Sequence, residues 1–123
     1  MSDDRRARGL EIMRQVYGWE IDEPSTDDPG DFLNLTVDHL FGTVWDRGDF
    51  TLRERRLLLV GLLVGLGLDD VAELQCDAAL RVGDLSATDL RELVVFLAHY
   101  AGWPRGAKLN SAVETLIARY AGE

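Results

Sequence analysis

The stretch TLRERRLLLVGLLVGLGL, residues 51–68, decides the fold. It opens with Thr51-Leu52-Arg53-Glu54, a capping-box pattern in which the threonine hydroxyl accepts from the amide three residues on and the glutamate reaches back. The 12 residues from Leu57 to Leu68 that follow are all apolar or glycine. They do not alternate with period two, and they fall short of the ~20 residues that span a bilayer, so they read as a buried core helix. Gly61 and Gly65 lie four apart on it, each roughly 1 kcal/mol worse than alanine in a helix interior. Close helix–helix approach is the expected compensation; a ligand against the bare backbone is the alternative.

Helix signals continue on both sides. Upstream, Arg5 to Tyr17 carries Leu10, Met13 and Tyr17 at helical spacing, with Gly18 as a natural stop. Residues 18–30 (GWEIDEPSTDDPG) read as an acidic loop. Phe32 to about Trp45 resumes a helix, and Asp46-Arg47-Gly48-Asp49 makes a turn. Downstream, Asp69-Asp70 starts a helix at the end the macrodipole favours for acids. It runs to about Val82, with Gly83 just past its end. Ser86-Ala87-Thr88-Asp89 is a second capping box, and its helix runs to about Ala101. Gly102-Trp103-Pro104 breaks the chain before a last helix from about Arg105 to Tyr120. No segment sustains strand alternation. The expectation is an all-α, single-domain bundle of about six helices over residues 1–123.

The 123 residues are 46% hydrophobic and 28% charged, a globular composition. A net charge of −9 argues against nucleic acid and against an anionic membrane surface, both of which select Lys and Arg. Residues 1–31 hold nine Asp/Glu and four Arg, so −5 of that charge sits at the amino-terminal end. The single cysteine, Cys76, allows no intrachain disulfide, which fits a reducing cytoplasm. No signal-peptide pattern opens the chain. P-loop, GxGxxG, His-Glu-x-x-His and zinc-type Cys/His spacings are all absent from the sequence, so neither metal nor cofactor is expected.

A distributed pattern carries more information. It consists of Phe41-Gly42-Thr43-Val44-Trp45-Asp46-Arg47, then Arg55, Leu66-Gly67, Leu74-Gln75-x-x-Ala78-Ala79-Leu80-Arg81-x-Gly83 and Tyr100-Ala101-Gly102-Trp103-Pro104. In order and spacing it resembles the carboxymuconolactone decarboxylase family, which shares its fold with the alkylhydroperoxidase D-like proteins. The resemblance implies a helical homo-oligomer, a trimer or a hexameric trimer of dimers. It also implies a cofactor-free lyase or isomerase acting on a small cyclic or aromatic carboxylate or lactone. That chemistry needs a cation for the carboxylate and a group that moves a proton. Arg55 matches the family's arginine and is the candidate clamp, the alternative being a pairing with a nearby acid. Trp45, Tyr100 and Trp103 are candidate walls around a flat ring, or core and interface anchors.

The departures from the family pattern are as informative. Where the family places its proton-transfer histidine, this chain has Gln75. Glutamine donates and accepts hydrogen bonds but does not titrate. The redox branch of the fold carries Cys-x-x-Cys before the same histidine, and those cysteine positions are Leu68 and Val71 here. Thiol peroxidase chemistry needs an attacking and a resolving thiol, so the antioxidant reading ranks last. Cys76 reads as a small buried hydrophobe, and Glu73 and Asp77 as solvent-facing acids. His39 and His99 lie off the family position. The alternative to an enzyme is a non-catalytic relative kept for binding or assembly.

Overall fold

The structure is a computed structural model that describes residues 2–21 and 29–122, without the side chains of residues 2 and 3. The acidic loop expected over residues 18–30 therefore falls largely outside the described residues, at positions 22–28. The described residues are mostly helical, and no strand occurs among them. The order is α1 (Ser2–Tyr17), α2 (Asp31–Asn34) running into a π-helical segment (Leu35–Val44), α3 (Leu52–Gly65), α4 (Asp69–Val82), α5 (Ala87–Ala101) and α6 (Trp103–Ala121). No described helix is long and apolar enough to cross a membrane. The chain packs as two compact units, Met1–Leu52 and Arg53–Glu123.

In the first unit α1 lies against the π-helical segment. Its core is Ile12, Val16 and Phe41, flanked by Met13, Tyr17, Trp45 and Leu52. The rings form a run: Tyr17 meets Phe41 at 5.8 Å between centroids, and Phe41 stacks on Trp45 at 5.8 Å. Two glycines allow the backbones to touch. A Cβ on Gly9 would collide with the Val37 carbonyl, and one on Gly42 would sit 2.6 Å from the Arg5 carbonyl oxygen. The bidentate pair Arg6–Asp38, with N–O distances of 3.0 and 3.1 Å, closes the same contact. The helical periodicity of residues 32–45 gives no sign of π winding, in which the Trp45 amide bonds back five residues to the Leu40 carbonyl at 2.9 Å.

The second unit holds the main core: Val60, Leu63 and Val64 of α3, Ala72, Cys76 and Ala79 of α4, then Leu85, Leu90, Leu109, Val113 and Leu116. Its helix ends follow the sequence signals. Gly83 caps α4 in the left-handed region at φ 84. The Ser86 box is formed, Ser86 Oγ accepting from the Asp89 amide at 3.1 Å and Asp89 Oδ2 from the Ser86 amide at 2.9 Å. Gly102 turns the chain at φ 105, and Pro104 lies in the first turn of α6.

Two expectations for α3 need correcting. The apolar stretch is not buried all round: Leu58, Leu62 and Leu66 are each more than half exposed, forming a stripe at four-residue spacing. Nor do its glycines serve a close approach. A Cβ on Gly61 would make only ordinary contact with Leu97, at 3.7 Å, and one on Gly65 would meet nothing within 4 Å. In this unit the tight crossing is at Gly106, where a Cβ would lie 2.5 Å from the Ala98 Cβ. Apolar composition alone does not distinguish a helix buried all round from one with a second apolar face.

Candidate functional site

Gln75 sits on the inner face of α4 and is only 3% exposed. A buried amide needs partners. Its Oε1 accepts a hydrogen bond from Arg56 Nη1 at 3.0 Å. Arg56 is fully buried, at 0% exposure. Two more of its donors go to Asp84, with Nε at 3.2 Å and Nη2 at 3.0 Å from the same carboxylate oxygen, Oδ2. Asp84 is the residue after the left-handed Gly83, so the α4 stop delivers its carboxylate to the arginine. The second oxygen, Asp84 Oδ1, is buried and takes no hydrogen bond from the described residues.

A neighbouring arginine strengthens the same junction. Arg53 lies three residues before Arg56, and so on the same face of α3. Its Nη1 donates to the Asp84 carbonyl at 2.9 Å and to Asp89 Oδ2 at 3.0 Å. The Arg53 hydrogen bond, with the Ser86 amide next, holds the Asp89 carboxyl at about 2. Two arginines from the first two turns of α3 thus tie down the turn between α4 and α5.

The other groups around Gln75 are committed elsewhere. Cys76 is fully buried, and burial pushes its thiol up to about 12 against the opposing pull of the Arg56 charge. Such a thiol is protonated and inert at neutral pH. Asp77 is half-buried rather than solvent-facing; it accepts from the Tyr120 hydroxyl and pairs with Arg81 at 3.3 Å. Burial, with the Asp77 hydrogen bond second, raises the Tyr120 hydroxyl above its ordinary range. Glu73 is likewise half-buried. Among the described residues no three His, Cys, Asp or Glu side chains gather as metal ligands would.

Each residue singled out from sequence has its own surroundings. The hydrogen bond to Gln75 comes from Arg56, one position beyond Arg55, which is half-buried. Successive helix residues diverge by about 100°, so the two arginines serve different surroundings. Trp45 belongs to the core of the first unit. Tyr100 is 80% exposed and leans on Phe96, with ring centroids 5.1 Å apart. Trp103 is 68% exposed and meets His99 edge-on at 5.7 Å. His39 is exposed. Arg56 and Asp84 were missed. Their signal was an arginine three residues after Arg53 and an acid directly after a helix-stopping glycine, and neither belongs to a chemical motif.

A profile of the carboxymuconolactone decarboxylase family matches residues 30–115, more than half of the chain. The chain belongs to the carboxymuconolactone decarboxylase family. It is 28% identical over 109 residues to a 4-carboxymuconolactone decarboxylase of Acinetobacter baylyi, an alignment that covers 85% of this chain and 81% of that protein. No solved structure matches it. The family suggested by the distributed pattern is thereby established, as the six helices already bear out the all-α expectation, and at family level the decarboxylase-like character of the chain is supported.

Proposed function

We propose that this member of the decarboxylase family is a binding and assembly protein that has given up proton transfer at residue 75. One observation carries the reading: the family's proton-transfer position holds a buried glutamine whose carbonyl oxygen is occupied by the fully buried Arg56. Decarboxylation through that position needs a group that titrates, and an amide does not. Arg56 cannot double as a substrate clamp while its fork is spent on Asp84 and Gln75. The exposed Leu58–Leu62–Leu66 stripe supports the assembly half of the proposal, because contiguous apolar surface marks interaction sites. The assembly is a homo-oligomer, a trimer or a trimer of dimers.

A second reading keeps catalysis. The likeness to a 4-carboxymuconolactone decarboxylase over 85% of the chain favours a cofactor-free lyase or isomerase on a small cyclic or aromatic carboxylate. In that form Arg55 is the anion clamp, Gln75 a hydrogen-bonding residue, and Trp45, Tyr100 and Trp103 the walls. Assays of the purified chain on a panel of lactone and aromatic carboxylates separate the two, paired with sedimentation velocity. The binding-and-assembly reading expects an oligomeric mass and no turnover above the blank. Turnover abolished by Arg55→Ala establishes the enzyme instead, and a monomeric mass removes the assembly.

A further inference from the structure

We propose that the cleft between α5 and α6 binds a small, uncharged flat ring carrying one O–H or N–H donor, with His99 as the acceptor and Trp103 as the wall. The cleft has a volume of about 300 Å³, at the small end for ligand sites and sufficient for a single ring. Val94, Val95, Ala98, Gly106 and Ala107 line it with apolar surface, while His99, Trp103 and Asn110 supply its polar and aromatic groups. The close crossing at Gly106 pins the two helices against each other at Ala98, so the groove beside that contact has fixed walls.

The tautomer of His99 follows from its contacts. Nδ1 lies 2.6 Å from the Val95 carbonyl oxygen, which can only accept, so Nδ1 carries the proton. In the neutral ring Nε2 is then left with a lone pair, an acceptor for a ligand donor. Trp103 stands at 86° to the imidazole, so the two rings form a corner in which a third ring can stack on one while meeting the edge of the other. Neither Lys nor Arg is among the residues lining the cleft. A carboxylate therefore finds no counter-charge there, within a chain of net charge −9, and the favoured ligand is a phenol-like neutral donor rather than an acid. This site does not depend on what happens at Gln75.

The test is an amide and indole NMR titration of the full chain with phenol, toluene and benzoate. The expected result is saturable shifts at Ala98, His99, Ala107 and the Trp103 indole. Phenol should bind about fivefold tighter than toluene, the worth of one neutral hydrogen bond, and benzoate more weakly than phenol. His99→Phe keeps an aromatic ring but removes the acceptor, and should abolish the preference for phenol while leaving toluene binding in place. Trp103→Ala should weaken both. Shifts that fail to saturate, shifts centred elsewhere, benzoate binding as tightly as phenol, or a phenol preference that survives His99→Phe would each overturn the proposal.

Discussion

Asp84→Ala removes the carboxylate from the buried arginine and leaves the guanidinium charge behind. Arg56 has no solvent exposure, so the charge cannot recover hydration without movement of the core. Breaking a buried pair from one side costs about 3–5 kcal/mol. The Asp84 side chain is 16% exposed, which lets water approach that end and places the expectation near the lower bound, about 3 kcal/mol. Gln75→Met keeps the volume and loses a single neutral acceptor of a charged donor, for about 1.5–2 kcal/mol. With a total stability of roughly 5–15 kcal/mol, both variants stay folded. At about 4 °C per kcal/mol, Asp84→Ala should lower Tm by about 12 °C. Urea melts followed by circular dichroism give the free energies directly. The double variant Arg56→Met/Asp84→Ala should be less destabilised than Asp84→Ala alone, because the orphaned charge has gone too. A cost under about 1 kcal/mol for Asp84→Ala, a larger cost for Gln75→Met than for Asp84→Ala, or a double variant that is the worst of the three would refute a buried Arg56 held by the Asp84 carboxylate.

Other expectations follow from the same geometry. Gly106→Ala should destabilise by about 1–3 kcal/mol through the Ala98 collision, whereas Gly65→Ala should stabilise by up to about 1 kcal/mol because open space meets its Cβ; paired melts check the opposite signs. Cys76 should resist a thiol-specific reagent at pH 8 in the native chain and react at once in denaturant, so rapid native labelling would contradict its burial. Asp89 is held at about 2 when folded, against about 3.9 in an unfolded chain. Its contribution is therefore present above about pH 4 and lost as pH falls toward 2. The stability gap between wild type and Asp89→Asn should close over that window, and a pH-independent gap would show that the Arg53 contact does not form.

Much of the fold was legible in the sequence because its signals are local. Gly83 and Gly102 occupy backbone conformations that favour glycine, the Ser86–Asp89 box forms as spelled out, and Pro104 opens α6. The π-helical segment was not legible, since its apolar spacing reads as an ordinary helix and the contact of Gly42 against the Arg5 carbonyl joins residues far apart in sequence. The exposed stripe of α3 was hidden for a related reason, a run of leucine and valine having no polar residues to mark its faces. At the site, Gln75 was identifiable by its departure from the family pattern, and its burial agrees with its position in the sequence motif. Its partners were not, because a buried Arg–Asp pair spanning 28 residues has no short-range signature.

The decisive measurement is release of CO₂ from 4-carboxymuconolactone by the purified chain, with Gln75→Leu run alongside. Wild type and variant are both expected to match the uncatalysed blank. Wild-type turnover that Gln75→Leu abolishes would contradict this expectation, showing that the buried amide takes part in the chemistry it was inferred to have relinquished.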